Sequence, residues 1–399
     1  MFGTLDDLPD DRRVLVRIDV NSPVEDGAVQ DNKRFARHAE TLAELADAGH
    51  PVAVLAHQGR PGRPTFVGLE GHAEILSDHL GREVRYVPDT YGERALEAIR
   101  GLDAGEILLL ENVRMVDEEL ADRTPEAHAE SALVETLAPE FDAYVNDAYS
   151  TAHRAHASIV GFPRVMDSYA GRVMEAEYEA NSAIQEREFD GEVTMVLGGT
   201  KADDLIYVME RVEHKVDRFL LGGIVGELFL RAAGHDVGYD VEDTEFFDEQ
   251  WDEGEGTIRE LLEEYGDRIK LPRDLAYEDD AGERAEVSLE GVEKETSFLD
   301  VGSETVAEYE SLVEESEATF VKGALGVFED ERFAEGTVGV LEAIAETDAF
   351  SVVGGGDTAR AIDLYGLEEE DFSHVSIAGG AYVRALTGES LPAIEALER

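Results

Sequence analysis

The chain has 399 residues, 43% of them hydrophobic, which is enough for two or three domains with real cores. It carries 91 acidic residues against 34 basic ones, a net charge of −57, and no cysteine, so disulfides and thiolate chemistry are excluded. A surface this acidic opposes nucleic acid and anionic lipid.

The acids are spread along predicted helices and loops, as at Glu260, Glu263 and Glu264, rather than blocked into one tail. That spread predicts a halophilic protein, built for a highly saline cytoplasm in which counterions screen within roughly 3 Å at 1 M. The first residues lack the basic and apolar regions of a signal peptide, and no apolar run approaches a membrane span. A soluble cytoplasmic protein with no membrane partner is expected.

In chain order, Val14 to Asn21 reads as a buried strand whose end carries Arg17, Asp19, Val20 and Asn21. Charges in such a run are costly unless paired or placed at a site. Asp31-Asn32-Lys33-Arg34 then leads into a helix from Phe35 to Ala48, closed by Gly49. The next apolar run, Val52 to Ala56, ends in His57-Gln58-Gly59-Arg60. Ile107 to Leu110 ends in Glu111-Asn112-Val113-Arg114, and Ala143 to Val145 ends in Asn146-Asp147, with His153, Arg154 and His156 close behind.

Four apolar strands separated by helical stretches imply a parallel sheet, and such sheets bind ligands at their carboxyl ends. Each end supplies a basic group: Arg17 with Arg34, His57 with Arg60, then Arg114 and Arg154. A single arginine is more often a surface ion pair. Together, guanidinium forks on one edge suit a small phosphorylated acid. His153 and His156 have metal-like spacing without a third ligand nearby, which leaves substrate or neighbour contacts as the better reading.

The second half repeats an apolar run followed by glycines: Val196-Leu197-Gly198-Gly199-Thr200-Lys201, Leu220-Leu221-Gly222-Gly223, and Val352-Val353-Gly354-Gly355-Gly356-Asp357-Thr358. Such turns bring backbone N–H groups against a ligand, which favours phosphate at the following helix start. Asp357 could cap that helix or hold Mg²⁺. Gly354-x-Gly356-x-x-Ala359 also fits a dinucleotide fingerprint, but no acid follows the next strand, and no P-loop motif is present.

The ordered series VRIDVNSP, DNKR, AHQGRP, LLLENVR, NDAYSTAHRAHAS, VLGGTK, LLGGIVGE, KGALGVFE, VVGGGDT and HVSIAGGA resembles phosphoglycerate kinases over essentially the whole chain. The resemblance implies an α/β fold: two doubly wound, Rossmann-like parallel-sheet domains facing across a cleft and joined by a helix. It places the substrate domain at 1–164, a helix-compatible link at 165–188, the nucleotide domain at 189–378, and a segment at 379–399 packing back on the first. The implied reaction moves the acyl phosphate of 1,3-bisphosphoglycerate reversibly to MgADP, giving 3-phosphoglycerate and ATP.

By motif position, Asp19, Val20, Asn21, Arg34, His57, Gln58, Gly59, Arg60, Arg114 and Arg154 would hold the glycerate. Lys201, Glu329, Gly355, Gly356, Asp357 and Thr358 would hold the nucleotide, with Asp357 on Mg²⁺. Arg34, Lys201, Gly355 and Gly356 would stabilise the transferring phosphoryl group. The chain departs from the family pattern in places: Leu205 occupies a usual lysine position, Lys322 and Ala324 usual asparagine and proline positions, and Ile377-Ala378 a usual threonine-glycine pair. Likeness and charge repulsion together suggest a monomer. A non-catalytic anion binder would not need Lys201, Glu329 and Asp357.

Overall fold

The computed structural model describes residues 2–237, 246–291 and 297–398. Two compact units are present: Met1–Glu179 with Glu389–Arg399, and Ala180–Gly388.

The first unit is built on a six-stranded, all-parallel sheet. Its strands are ordered Val84–Tyr86, Ile107–Leu109, Val52–Leu55, Val14–Arg17, Ala143–Asn146 and Ser168–Ala170. The central strands are short runs of Val, Leu and Ile buried on both faces, as a sheet covered by helices requires. The chain starts in the middle, fills one side, then crosses to the other. Order therefore reverses between Val14–Arg17 and Ala143–Asn146, the place where a doubly wound sheet opens a crevice at its carboxyl ends.

The second unit repeats the plan. Its sheet runs Ile269–Lys270, Arg218–Leu221, Val193–Leu197, Ala318–Lys322, Phe350–Gly354 and His374–Ser376, again all parallel. In sequence rank this is 3-2-1-4-5-6, and the reversal lies between Val193–Leu197 and Ala318–Lys322. A small antiparallel sheet of Asp274–Glu278, Arg284–Ser288 and Asp300–Val301 is added to this unit.

Four strands were legible in the first half, but the sheet has six. Val84–Tyr86 and Ser168–Ala170 are only three residues long, too short to show a period. The second lies at the start of the helix-compatible stretch 165–188. The helix is Arg172–Glu186, and Ser168–Ala170 precedes it as an edge strand. At the far end, Gly380–Leu386 belongs to the second unit and the Pro392–Leu397 helix to the first, where Ala393 N–H donates to the Ala152 carbonyl (3.1 Å).

Candidate functional site

In the first unit the strand ends converge as expected. Arg17, the last residue of its strand, is fully buried; its Nε donates to Ser158 Oγ (2.9 Å) and one terminal nitrogen lies 3.0 Å from His57 Nδ1. Two residues on, the buried Asp19 carboxylate accepts from Arg34 (2.8 Å), from the Ser150 hydroxyl and from the Asn21 backbone N–H (3.0 Å). Burial would raise the Asp19 carboxyl; the Arg34 guanidinium and the hydrogen bonds from Ser150 and the Asn21 N–H outweigh it and hold the group far below the usual carboxylate range.

Arg34 is placed by its helix. Asn32 caps Lys33–Asp47 by accepting from the Arg34 backbone N–H (2.9 Å), which sets Arg34 in the first turn. A cation there works against the helix dipole. Local structure does not call for it, so its use lies elsewhere.

His57 is neutral. A guanidinium N–H 3.0 Å from Nδ1 needs that nitrogen's lone pair, and burial together with Arg17, Arg114 and Arg34 pulls the imidazole well below its ordinary pKa, with Asp19 opposing. This leaves Nε2–H as a donor. A histidine depressed in the fold binds fewer protons than in the unfolded chain, so its contribution is present above pH 6.5 and lost as pH falls below it. Replacing His57 by Asn should therefore flatten the loss of stability between pH 6.5 and 5, by up to about 1.4 kcal/mol per pH unit. Urea midpoints of parent and variant across that range check it, and parallel slopes would contradict the assignment.

The other expected residues divide into those open to a ligand and those already engaged. The Asn21 side chain accepts from the Gly59 N–H (2.7 Å), and Gly59 itself sits at φ +66°, close against the Thr65 backbone, where no side chain fits. Gln58 is fully buried, with its amide bonded to both backbone groups of Ser22 and to His72. Val20 packs into the hydrophobic core. These four shape the site.

Arg60, Arg114 and Arg154 remain, and no carboxylate lies within 4 Å of any of them among the described residues. Arg114 donates to the Gly59 carbonyl (2.6 Å), while its buried Nε has no partner. Burial and the neighbouring cations Arg17 and Arg154 lower its pKa to about 10, which still leaves it charged at neutral pH.

Sequence reading missed three residues here. The buried Glu119 accepts from the Ser158 N–H and hydroxyl (2.8 and 2.7 Å), so a carboxylate stands behind Arg17 through Ser158. His38 Nε2 accepts from the Asp19 N–H (3.2 Å), and its Nδ1 lies 2.7 Å from Asp147. No local pattern separates one acid among 91 from the rest. His153 and His156 do not join a cluster of metal-binding side chains among the described residues.

In the second unit the glycine turns lie along one sheet edge. A polar cavity of about 250 Å³ opens there, lined by Gly198, Gly199, Lys201, Asp204, Lys322 and Asp357 among others. It shares Gly199 and Thr200 with a smaller cavity of about 120 Å³, whose walls include Ile224, Pro272, Leu275, Phe298 and Leu325. A charged chamber continuing into an apolar slot matches a nucleotide's polyphosphate and base.

Gly355 caps the Gly356–Tyr365 helix at φ 112°, a conformation that favours glycine, and no side chain caps the first N–H groups of that helix. Asp357 does not cap this helix; Gly355 holds that position, which leaves the carboxylate exposed at the cavity wall. The buried Thr358 hydroxyl is spent on the turn, 2.9 Å from the Gly354 carbonyl. Glu329 is exposed, pairs with Arg360 (3.2 Å) and lines neither cavity.

Guanidinium groups without a carboxylate partner at one parallel sheet, and glycine turns with two lysines around a polar cavity at the other, are features suited to phosphoryl transfer. The class is a two-unit α/β phosphotransferase.

A family model described as "Phosphoglycerate kinase" matches residues 5–389. Phosphoglycerate kinases of the halophilic archaea Halorubrum lacusprofundi and Haloarcula marismortui are 68% and 64% identical to the chain over all of it, covering 98% and 100% of those proteins. The crystal structure of phosphoglycerate kinase from Pyrococcus horikoshii superposes with a TM-score of 0.91 at 34% identity, over 99% of this chain and 98% of that one. The chain belongs to the phosphoglycerate kinase family. It is a glycolytic kinase, and the acyl phosphate of 1,3-bisphosphoglycerate passes reversibly to ADP to give 3-phosphoglycerate and ATP.

Proposed function

We propose that the first unit holds the glycerate substrate through Arg60, Arg114 and Arg154, with Arg34 directed at the transferring phosphoryl group. One observation carries this reading. Elsewhere the acidic surface captures arginines readily, as in Arg82 with Asp47, Arg172 with Glu44 and Arg273 with Glu308. In a chain of net charge −57, three neighbouring guanidinium groups without a carboxylate partner are held for an anion from solution. Asp19 and Asn21 set the geometry, and His57 Nε2–H adds a neutral donor.

The second unit holds the nucleotide. Lys201 and the N–H groups at Gly355 and Gly356 face the phosphates, and Glu329 takes the ribose hydroxyls, exchanging its pairing with Arg360. Mg²⁺ fits this side, because the exposed Asp357 carboxylate is free of a capping role and hard oxygen donors suit that ion. Asp357 would help hold the ion, which when bound would offset the negative charge of the nucleotide phosphates. The protein has little covalent chemistry to perform; it positions the reactants and stabilises charge. An acyl phosphate must also be kept from water, so closure on both substrates accompanies turnover. The enzyme acts as a cytoplasmic monomer.

In multimolar KCl the purified protein should consume ATP only when 3-phosphoglycerate is present, and the absence of that coupling would sink the reading. Arg114→Ala should raise KM for 3-phosphoglycerate by roughly 10- to 100-fold, the worth of a charge-assisted contact, and leave KM for ADP within about twofold. Steady-state kinetics in both substrates decide it; equal effects on the two would count against a glycerate role.

A further inference from the structure

The chain has only six lysines, yet two of them, Lys201 and Lys322, line the same cavity. Lys322 ends the strand Ala318–Lys322, in register with Leu197 on one side and Gly354 on the other. It thus stands where the sheet order reverses, between the Gly198-Gly199 turn and the Gly355 turn. Its ammonium reaches toward the second turn, 3.8 Å from where a Cβ on Gly355 would be.

This ammonium has no ion pair and no hydrogen bond among the described residues. Lys215 and Lys270 do find partners, in Glu188 (3.9 Å) and the Asp267 carbonyl (3.0 Å). Asp204 and Asp357 line the cavity with Lys322 and favour its charge from a distance; burial and Lys201 work against it. A largely enclosed, unpaired cation is costly in a protein rich in carboxylates, unless the cavity is built to receive an anion.

We propose that Lys322 is a phosphate-binding residue, the second cation after Lys201 to contact the terminal phosphate of the nucleotide. The inference rests on this cavity being the nucleotide's phosphate site. Its wall also carries Leu205, which is 3% exposed and one helical turn beyond Lys201 on the Ala202–Val212 helix. Leu205 lines the same chamber as Lys201 and Lys322, so a lysine at 205 would enter it from the helix. The cavity thus has Lys322 on the strand side and, on the helix side, Lys201 with the apolar Leu205, so the second charge is transferable from 322 to 205.

That transfer is the test. MgADP and AMP affinities are measured by calorimetry in multimolar KCl, where direct contacts persist and longer-range attraction is screened. Lys322→Gln should weaken MgADP by roughly 10- to 30-fold and AMP by less than about twofold, while Lys322→Arg should keep most of the affinity. Adding Leu205→Lys to Lys322→Gln should recover at least part of the loss. If Lys201→Ala weakens MgADP while Lys322→Gln leaves it intact, Lys322 has no such role and the cavity keeps its assignment. If Lys201→Ala also leaves MgADP intact, the cavity is not the phosphate site and both readings fail. Equal losses for AMP and ADP after Lys322→Gln would mark a merely structural lysine.

Discussion

In dilute buffer the protein should melt on the order of 20 °C lower than in multimolar KCl. The excess of 91 acids over 34 bases leaves most surface carboxylates without a partner. Crowding among them is visible in detail: the Glu310 carboxyl, on the Ser303–Glu314 helix, is pushed up by burial and then by Glu314 and by Glu342, Glu335 and Glu346 of the Glu335–Ala345 helix and its C-cap. Salt shortens the reach of such repulsion from roughly 10 Å at 0.1 M to about 3 Å at 1 M. Surface arginine pairs weaken too, but exposed pairs contribute only about 0–1 kcal/mol each, and the unpaired acids outnumber them. A net gain of about 5–8 kcal/mol, at roughly 2–4 °C per kcal/mol, gives the stated shift. Two units can unfold separately, so each transition is followed by calorimetry. Sucrose at matched osmolality is the control, because it favours compactness without screening. Equal stabilisation by sucrose and KCl, or none by KCl, would remove charge repulsion from the explanation.

What the sequence made legible follows from how parallel sheets are written. Their inner strands are uninterrupted apolar runs, so the polar residues at each run's end announce the carboxyl edge on sight. Arg17, His57, Arg114 and the glycine turns were found in this way, and a parallel sheet followed; the doubly wound plan came from the family resemblance. What stayed hidden depends on contacts between distant positions. Ser158 meets Arg17 across 141 residues, and Glu119 meets Ser158 across 39. Nothing in the neighbourhood of Glu119 marks it as buried. The converse also occurs: Gln58 and Thr358 stand in site-like stretches, yet their polar atoms are taken up by Ser22, His72 and the Gly354 carbonyl. Composition reports that a side chain is able to bind; only the fold reports whether it is already occupied.

Arg34→Ala should lower kcat by about a thousandfold, while the dissociation constant for 3-phosphoglycerate rises only a few-fold. In the fold Arg34 is already committed on one side, to the Asp19 carboxylate at 2.8 Å and the Asn21 carbonyl at 3.3 Å. That commitment orients the guanidinium and partly neutralises it, so it attracts a resting anion less than Arg114 does. A metaphosphate-like transition state spreads charge over three oxygens, and a pre-aimed fork meets it without reorganisation; arginines in that role contribute roughly 10³–10⁵ in kcat.

The variant also strips Asp19 of its strongest counter-charge, which could slow the reaction by leaving a stray carboxylate in the site. Asp19→Asn combined with Arg34→Ala separates the causes. If the stray charge were responsible, the double variant would regain activity over Arg34→Ala. If the arginine acts on the transferring group, the double variant stays as slow. Arg34→Lys, which keeps a charge but loses the fork, should fall between. Equal losses in kcat and in 3-phosphoglycerate affinity after Arg34→Ala would assign the residue to ground-state binding instead.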